Sequence, residues 1–172
     1  MDMRRTWAMP NKNTFTIKPI NDLLNKYISQ EMTVIDPFAN DSKWGTITND
    51  LNPEFDTTHH MDALDFLKMI DSETADIVLY DPPYSVRQVS ESYKGFGYEV
   101  TQEHTQASWR ARHLDEIGRI LKPDGIALCF GWNSNGVGKK RNMELVELLV
   151  VPHGGSKHDT LVTVEVKKAG DS

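Results

Sequence analysis

Residues 75–85 read Ala75-Asp76-Ile77-Val78-Leu79-Tyr80-Asp81-Pro82-Pro83-Tyr84-Ser85. The apolar part, Ile77–Tyr80, is typical of a strand that is buried on both faces of a parallel sheet. The two prolines then end the strand, because each lacks the N–H that a sheet ladder needs and has a fixed φ. The run therefore predicts a rigid turn at the carboxyl end of a central strand, which is where open α/β sheets bind ligands.

The groups of this turn suit a planar ring that carries an exocyclic amino group. The Asp81 carboxylate and the Pro82 carbonyl can accept the two amino hydrogens, and the Tyr84 ring offers a flat surface for stacking. The alternative is an ordinary strand-to-loop turn. The position of the motif directly after an apolar run favours the functional interpretation.

The Asp81-Pro82-Pro83-Tyr84 motif resembles the catalytic motif of S-adenosylmethionine-dependent amino-methyltransferases that act on adenine N6 or cytosine N4 in DNA. A similar motif occurs in some enzymes that methylate guanine N2 in ribosomal RNA. The resemblance implies that these four residues are catalytic and that S-adenosylmethionine is the cofactor. It favours adenine N6, because the cytosine enzymes more often carry Ser-Pro-Pro-Tyr.

The segment before this strand is similar to the cofactor-binding half of the same family. Thr14–Ser29 has Pro19 in place for a first helical turn, and apolar residues follow at helical spacing. Residues 36–39 then read as an Asp-Pro-Phe-Ala turn after a short strand. The family continues with a glycine-rich loop, whereas residues 40–45 of this chain are Asn-Asp-Ser-Lys-Trp-Gly. Asn40 or Asp41 tolerates a left-handed backbone, so we expect a feasible turn with a tighter pocket or a lower affinity.

Thr46–Glu54 is predicted to contain a second short strand that ends in an acidic residue. Such a residue commonly holds the two hydroxyls of a ribose, so we assign this role to Asp50, with a simple turn role as the alternative. Leu51 would then lie against the adenine, and the resemblance implies that Asp62 accepts a hydrogen bond from the adenine amino group. The cofactor-binding residues expected in all are Ile17, Lys18, Asp36, Pro37, Phe38, Ala39, Asp50, Leu51, Asp62 and Ala63.

Two further segments are candidates for contact with the substrate. Residues 85–108 form a long polar connection, which we interpret as a substrate loop or lid, with a disordered insertion as the alternative. The basic run at 139–141 favours a nucleic-acid contact and a solvated turn about equally, and it fails the phosphate-binding loop pattern. The substrate-binding candidates are Arg87, Tyr93, Lys94, Phe96, Lys139 and Lys140.

Length, charge and composition narrow the class of protein. The 172 residues suffice for one α/β core, and the net charge of −6 argues against charge-driven coating of nucleic acid. No apolar run reaches the length of a membrane span, and the single Cys129 allows no internal disulfide, so we expect a cytoplasmic protein. The adjacent His59 and His60 point in different directions, and no metal site is predicted.

The resemblance covers most of the chain, from Lys18 to Val166, and implies a three-layer α/β/α sandwich of the Rossmann-like methyltransferase type. The predicted sheet is mostly parallel and ends in a C-terminal antiparallel hairpin. Residues 1–13 are expected to be a flexible arm, with closure over a ligand as the alternative, and residues 14–172 a single domain.

The expected activity is methyl transfer to adenine N6 in DNA. The alternatives are an RNA base amino-methyltransferase and an inactive cofactor-binding regulatory subunit. No target-recognition domain is evident, so the protein would have low sequence specificity, read its site through residues 85–108, or act as a homodimer. A compact acidic methyltransferase of this kind suits a phage or a mobile element.

Overall fold

The computed structural model of the protein describes residues 1–9, 13–83, 107–155 and 158–169. Within these ranges the chain forms one seven-stranded sheet in the order β1-β6-β7-β5-β4-β2-β3. The β7 strand is antiparallel to both of its neighbours, and the other pairs are parallel. The strands are β1 Asp2–Arg5, β2 Val34–Asp36, β3 Ile47–Thr48, β4 Ala75–Tyr80, β5 Leu121–Gly131, β6 Met143–Val151 and β7 Thr160–Lys167.

Helices cover both faces of this sheet. The helix α1, Lys18–Tyr27, packs with the apolar residues of one face, and the helices α2, Ala63–Met69, and α3, Ala107–Ile120, pack on the other face. Two 3-10 turns, Thr14–Thr16 and Lys139–Arg141, complete the regular structure of the described part. The predicted three-layer sandwich with a C-terminal antiparallel hairpin is confirmed.

The α1 helix forms where the apolar spacing and Pro19 predict it. Pro19 stands in the first turn, where its missing N–H has no intrahelical partner to lose. Ile20, Leu23 and Leu24 are completely buried against the sheet. This helix brings the chain back to β2, so the preceding 3-10 turn lies at the carboxyl edge of the sheet.

The β5 strand contains the turn-type sequence Pro123-Asp124-Gly125 and is irregular there. Its pairing with β4 starts at Leu121, is interrupted, and resumes at Ile126. The interruption contains Asp124 with a φ of 68°. A Cβ at Gly125 would stand 2.7 Å from the Lys122 carbonyl oxygen, so glycine is required for the close approach.

The N-terminal residues contradict the expectation of a loose arm. Residues 2–5 form β1, which pairs in parallel with β6 at the edge of the sheet. All four side chains of β1 are exposed, so the sequence has no apolar pattern that would predict the strand. Its main-chain hydrogen bonds and the ion pair between Arg4 and Glu147, at 2.9 Å, hold it in place.

Glu147 of β6 is the buried centre of this region. Its carboxylate, 1% exposed, accepts hydrogen bonds from Arg4 at 2.9 Å, Lys26 at 2.7 Å and the Tyr27 hydroxyl at 2.5 Å. Burial acts to raise the pKa of Glu147, but these hydrogen bonds outweigh it and the pKa lies below its ordinary value. The carboxylate thereby connects β1, α1 and β6.

Candidate active site

A cleft of about 590 Å³ opens at the carboxyl ends of β2, β3 and β4. It is enclosed by the turn after β2, the loop after β3, the start of α2 and the turn after β4. Nine of the sequence-predicted residues line it, namely Pro37, Phe38, Ala39, Asp50, Leu51, Ala63, Asp81, Pro82 and Pro83. The side chains that the sequence placed at successive strand ends therefore share one cavity, as expected for a parallel sheet.

The turn after β2 is fixed to the end of β3. The Ala39 N–H donates to the Asn49 carbonyl at 2.9 Å, and the Asn40 N–H donates to the Asp50 carboxylate at 2.9 Å. Asn40, one of the two residues expected to tolerate a left-handed backbone, has a φ of 55°.

The one glycine of this loop, Gly45, lies behind the turn. A Cβ at this position would come within 2.7 Å of Thr48 Cγ2 and 3.0 Å of Asp36 Cβ. Gly45 thus permits the loop to pass directly over the end of β2.

Asp36 ends β2 beneath the cleft and is completely buried. Within the described ranges, neither of its carboxyl oxygens has a partner in hydrogen-bonding geometry. Burial raises its pKa well above the ordinary value, and the nearby Asp81 and Asp50 carboxylates add to the rise, while the Phe38 N–H partly offsets it. A buried polar group without a partner is uncommon and marks a site that is incomplete without a ligand or a proton.

Asp50 combines the two roles that its sequence position left open. Its two oxygens accept the N–H groups of Asn40 and Asn52, each at 2.9 Å, so the carboxylate holds the turn together. The residue also lines the cleft and is half-buried. Each carboxylate oxygen has a further lone pair, so the group can still accept a hydroxyl hydrogen.

The Asp81-Pro82-Pro83 turn follows β4 as predicted. The β4 strand is buried along nearly its whole length, and the turn emerges from it directly into the cleft. Asp81 is near enough to Asp36 to influence its pKa. Tyr84, the fourth residue of the motif, lies outside the described residues, as do the loop candidates Arg87, Tyr93, Lys94 and Phe96.

Besides Asp36, which is buried beneath the cleft, three predicted cofactor residues are not among those that line it. Ile17 is buried in the core beneath α1, and Lys18 is exposed and pairs with Asp22 at 3.1 Å. The Asp62 carboxylate caps α2 by accepting the N–H groups of residues 64 and 65. The cleft is lined instead by their neighbours, Asn13–Thr16 and Met61.

An aromatic cluster beneath the cleft was not predicted from the sequence. Phe38, Tyr80, Trp109 and His113 have ring centroids 4.5–6.1 Å apart, and the Tyr80 hydroxyl is 2.7 Å from His113 Nδ1. Trp109 and His113 are one helical turn apart on α3, which is the only local signal that they share a face. The cluster joins the ends of β2 and β4 to the first half of α3.

Lys139 and Lys140 are exposed in the second 3-10 turn, and neither is among the described residues that line the cleft. Their predicted contact with nucleic acid stays a prediction. None of the helices in the described ranges has the length and apolarity that a membrane crossing demands.

Comparison with known proteins identifies the architecture. No family model and no curated protein matches the sequence. Among solved structures, the Burkholderia thailandensis 1,6-didemethyltoxoflavin-N1-methyltransferase, with 1,6-didemethyltoxoflavin and S-adenosylhomocysteine bound, matches 88% of this chain and 78% of its own, with a TM-score of 0.59 and 14% identity. The chain has a Rossmann-like methyltransferase fold.

Two further structures give the same fold at similar identity. TrmN from Thermus thermophilus matches 88% of this chain and 49% of its own, with a TM-score of 0.58 and 17% identity. A SAM-dependent methyltransferase from Methanosarcina mazei matches 86% of this chain and 98% of its own, with a TM-score of 0.52 and 10% identity. At these identities the likeness concerns the methyltransferase fold and leaves the substrate open.

Proposed function

We propose that the protein is an S-adenosylmethionine-dependent methyltransferase that acts on the exocyclic amine of a nucleic-acid base, with adenine N6 in DNA as the preferred target. The observation that carries this proposal is the position of the Asp81-Pro82-Pro83 turn, which opens into the same cleft as Asp50 and lies near the buried Asp36. An amine acceptor site and a cofactor-sized cleft are therefore adjacent.

The cleft fits S-adenosylmethionine in size and in charge. Its volume of about 590 Å³ lies within the range of small-molecule sites. The cofactor carries a sulfonium and an ammonium group, and the Asp36, Asp50 and Asp81 carboxylates gather at this end of the sheet. A bound cation would give the orphaned Asp36 carboxyl the counter-charge that it lacks among the described residues. The Burkholderia enzyme with the same fold was solved with S-adenosylhomocysteine bound.

Individual residues of the cleft suit the parts of this cofactor. Asp50 has lone pairs for the ribose hydroxyls, and Leu51 and Ala63 offer apolar surface for the adenine. When bound, the cofactor supplies an electrophilic methyl group. Lys18 and Asp62 are assigned no direct contact in this proposal, because Lys18 is exposed beside Asp22 and the Asp62 carboxylate caps α2.

The Asp81-Pro82-Pro83 turn orients the nucleophile. The Asp81 carboxylate and the Pro82 carbonyl accept the two hydrogens of the exocyclic amine, which keeps its lone pair directed away from the ring and toward the cofactor site. The proximity of Asp36 and Asp50 adds negative charge where the amine becomes cationic during transfer. We assign stacking on the base to Tyr84 and contact with the flanking nucleic acid to Arg87, Tyr93, Lys94 and Phe96. A base within a duplex has to be flipped out first.

The test is methyl transfer by the Asp81→Ala variant. With radiolabelled cofactor and DNA or RNA as acceptor, we expect a loss of at least about 10²–10³-fold in turnover, because the acceptor that orients the amine is removed. Asp71→Ala, an exposed carboxylate after α2, is the matched control and should retain activity. Digestion of the product to nucleosides identifies the target as N6-methyladenosine or N4-methylcytidine.

Three outcomes separate the alternatives. Unchanged turnover in Asp81→Ala contradicts the assignment of the motif. Transfer to RNA alone makes the protein an RNA base methyltransferase. Calorimetric binding of S-adenosylmethionine without transfer to either nucleic acid favours the regulatory subunit.

A further inference from the structure

A second cavity, of about 210 Å³, lies where β4 and β5 end beneath the first turns of α3. Tyr80, Cys129 and Phe130 form its floor, and Asn133 and Asn135 are exposed at its rim, so it is open to solvent. The described residues that line it are Tyr80, Ala107, Arg110, Ala111, Leu114, Cys129, Phe130, Gly131, Asn133, Asn135, Gly136 and Arg141. We call it the arginine cavity.

The arginine cavity and the cleft are adjacent, because two consecutive residues of the chain line one recess each. Tyr80 lines the cavity and Asp81 lines the cleft. The strand β4 ends at Tyr80, so the cavity and the cleft meet at the carboxyl end of this strand. A nucleotide whose base is held at Asp81 therefore has the arginine cavity as its neighbouring recess.

The described lining of the arginine cavity contains two arginines, two asparagines and no carboxylate. This is unusual in a chain with a net charge of −6. The nearby Glu165 is occupied in another way, because its two oxygens accept the N–H groups of Val137 and Gly138 at 2.7 and 2.8 Å. The cavity consequently favours an anion.

The two arginines differ in their partners. Arg141 pairs with Asp115 at 2.7 Å and donates to the carbonyls of Val137 and Ala111. Arg110, which is half-buried, pairs with no carboxylate in the described part of the chain. Among the described residues that line the cavity, Arg110 is therefore the cation without an acidic partner.

The Arg110 guanidinium is directed into the cavity. Its Nη1 stands 3.9 Å from the position that a Cβ at Gly131 would occupy. Its charge also acts on the groups of the floor, since it lowers the pKa of both Tyr80 and Cys129 against the larger effect of burial. Burial raises the pKa of the Cys129 thiol to about 12, and the Glu165 carboxylate, which accepts the Val137 and Gly138 N–H groups, adds to the rise. The thiol itself therefore carries no negative charge that would compete for the arginine.

We propose that the arginine cavity binds one backbone phosphate of the nucleic-acid substrate through Arg110, next to the nucleotide whose base enters the cleft. A guanidinium is well suited to this ligand because it can donate two parallel hydrogen bonds to a phosphate. The exposed Asn133 and Asn135 at the rim supply further donors. The inference rests on the proposed function for the identity of the ligand, whereas the cavity and its charge stand independently of it.

The experiment compares adenosine with adenosine 5′-monophosphate as ligands, both in saturating S-adenosylhomocysteine, so that the cofactor part of the cleft is filled and the Asp81 end stays open for the base. Wild-type protein should bind the monophosphate about tenfold more tightly or better, as expected for one charge-assisted contact. Arg110→Gln should abolish the preference for the monophosphate over adenosine, and Arg110→Lys should retain part of it. The matched control Arg5→Gln, at the far edge of the sheet, should leave the ratio unchanged.

A salt titration with a short single-stranded oligonucleotide gives a second readout. Losing one phosphate contact should reduce the slope of log affinity against log salt by about one in Arg110→Gln and leave it unchanged in Arg5→Gln. A variant that is merely less stable would bind less without changing that slope. Melting temperatures measured in parallel show whether each variant is folded.

The outcomes distinguish this inference from the proposed function. No preference for the monophosphate in the wild type, or an equal preference in Arg110→Gln, overturns the phosphate site. Competition by inorganic phosphate as strong as by the monophosphate overturns it in favour of a free-anion site. If Arg110→Gln loses the preference for the monophosphate while the wild type transfers no methyl group to any nucleic acid, the phosphate site is supported and the proposed function is refuted.

Discussion

Two buried carboxylates, Asp36 at the end of β2 and Glu147 in β6, stand in opposite environments. Both are at most 1% exposed. Glu147 has three hydrogen-bond donors and a lowered pKa, whereas Asp36 has no partner in hydrogen-bonding geometry within the described residues and a strongly raised pKa. Glu147 lies between structural elements, and Asp36 lies beneath the cleft.

The difference teaches how to separate a structural buried charge from a functional one. Removing a charge from water is costly, and a fold recovers that cost only through good partners. For Glu147, the hydrogen bonds from Arg4, Lys26 and Tyr27 offset the cost of burying the charge. Among the described residues Asp36 has no such partners, which is the pattern expected where the missing partner is a cationic ligand.

The largest expected effect on stability comes from Glu147→Gln. The amide cannot serve Arg4, Lys26 and Tyr27 as a charged acceptor, and the free energy of unfolding should fall by about 2–3 kcal/mol. Urea unfolding at neutral pH measures this loss. Affinity for S-adenosylhomocysteine should be unchanged while the protein is folded, and a loss of affinity without a loss of stability would contradict the structural role.

The Asp36→Asn variant should show the opposite result, with a loss of ligand affinity and no loss of stability. The free energy of unfolding should stay the same or rise by about 1 kcal/mol, because the variant removes a buried charge that Asp81 and Asp50 repel. Affinity for S-adenosylmethionine should fall by about tenfold, equivalent to about 1.4 kcal/mol. Calorimetry and urea unfolding on the same samples test both parts, and a destabilised variant with full affinity would contradict the comparison.

The pH dependence of the two carboxylates should have opposite sign. The folded-state pKa of Glu147 is lowered, so its stabilisation is complete above the ordinary glutamate pKa and is lost as the pH falls through the folded-state value. The folded-state pKa of Asp36 is raised, so its destabilising effect is absent below the ordinary aspartate pKa and becomes complete as the pH rises through the folded-state value.

Unfolding of the wild type, Glu147→Gln and Asp36→Asn between about pH 3 and pH 8 tests these signs. The wild type should be more stable than Glu147→Gln at neutral pH, and this difference in the free energy of unfolding should disappear at the acid end. Asp36→Asn should become more stable than the wild type toward the alkaline end. Parallel curves for the wild type and Asp36→Asn would show that Asp36 has the same pKa in the folded and unfolded states.

The smallest expected effect is that of a glycine at the left-handed Asn40, whose N–H donates to Asp50. Asn40→Gly should change stability by no more than about 0.5 kcal/mol, because relief at positive φ is offset by the greater entropy of the unfolded chain. Asn40→Val should lose about 1–2 kcal/mol and weaken cofactor binding, because a β-branched residue resists this conformation. Equal stability of the two variants would show that the turn adapts.

The fold was largely predictable because its signals are local. The apolar run of β4, the spacing of α1 and the turn residues of the hairpin each specify an element within a few positions. The strand β1 was missed for the opposite reason. Its four exposed side chains have no pattern, and its stability comes from β6 and Glu147, more than 140 positions away.

The residues of the candidate site that follow strand ends were predictable from the sequence. The hydrogen-bond and packing partners of the other side chains were not, because they depend on the folded structure. Asp81 comes directly after β4 and Asp50 two residues after β3, so their place in the cleft follows from the parallel sheet. The sequence could not show that Asp62 caps α2, that Lys18 pairs with Asp22, or that the aromatic cluster forms. Arg110 was also missed, because the arginine cavity is assembled from distant segments.

The alternation at the end of β4 has a consequence for insertions and deletions. Tyr80, the last residue of β4, packs in the aromatic cluster, and the next residue, Asp81, lines the cleft. Losing one residue between Ala75 and Leu79 would shift the register by one position, so that the Tyr80 phenol would turn toward the cleft and the Asp81 carboxyl toward an apolar interior. Frame-preserving length changes in this strand should therefore be more damaging than any single substitution around it.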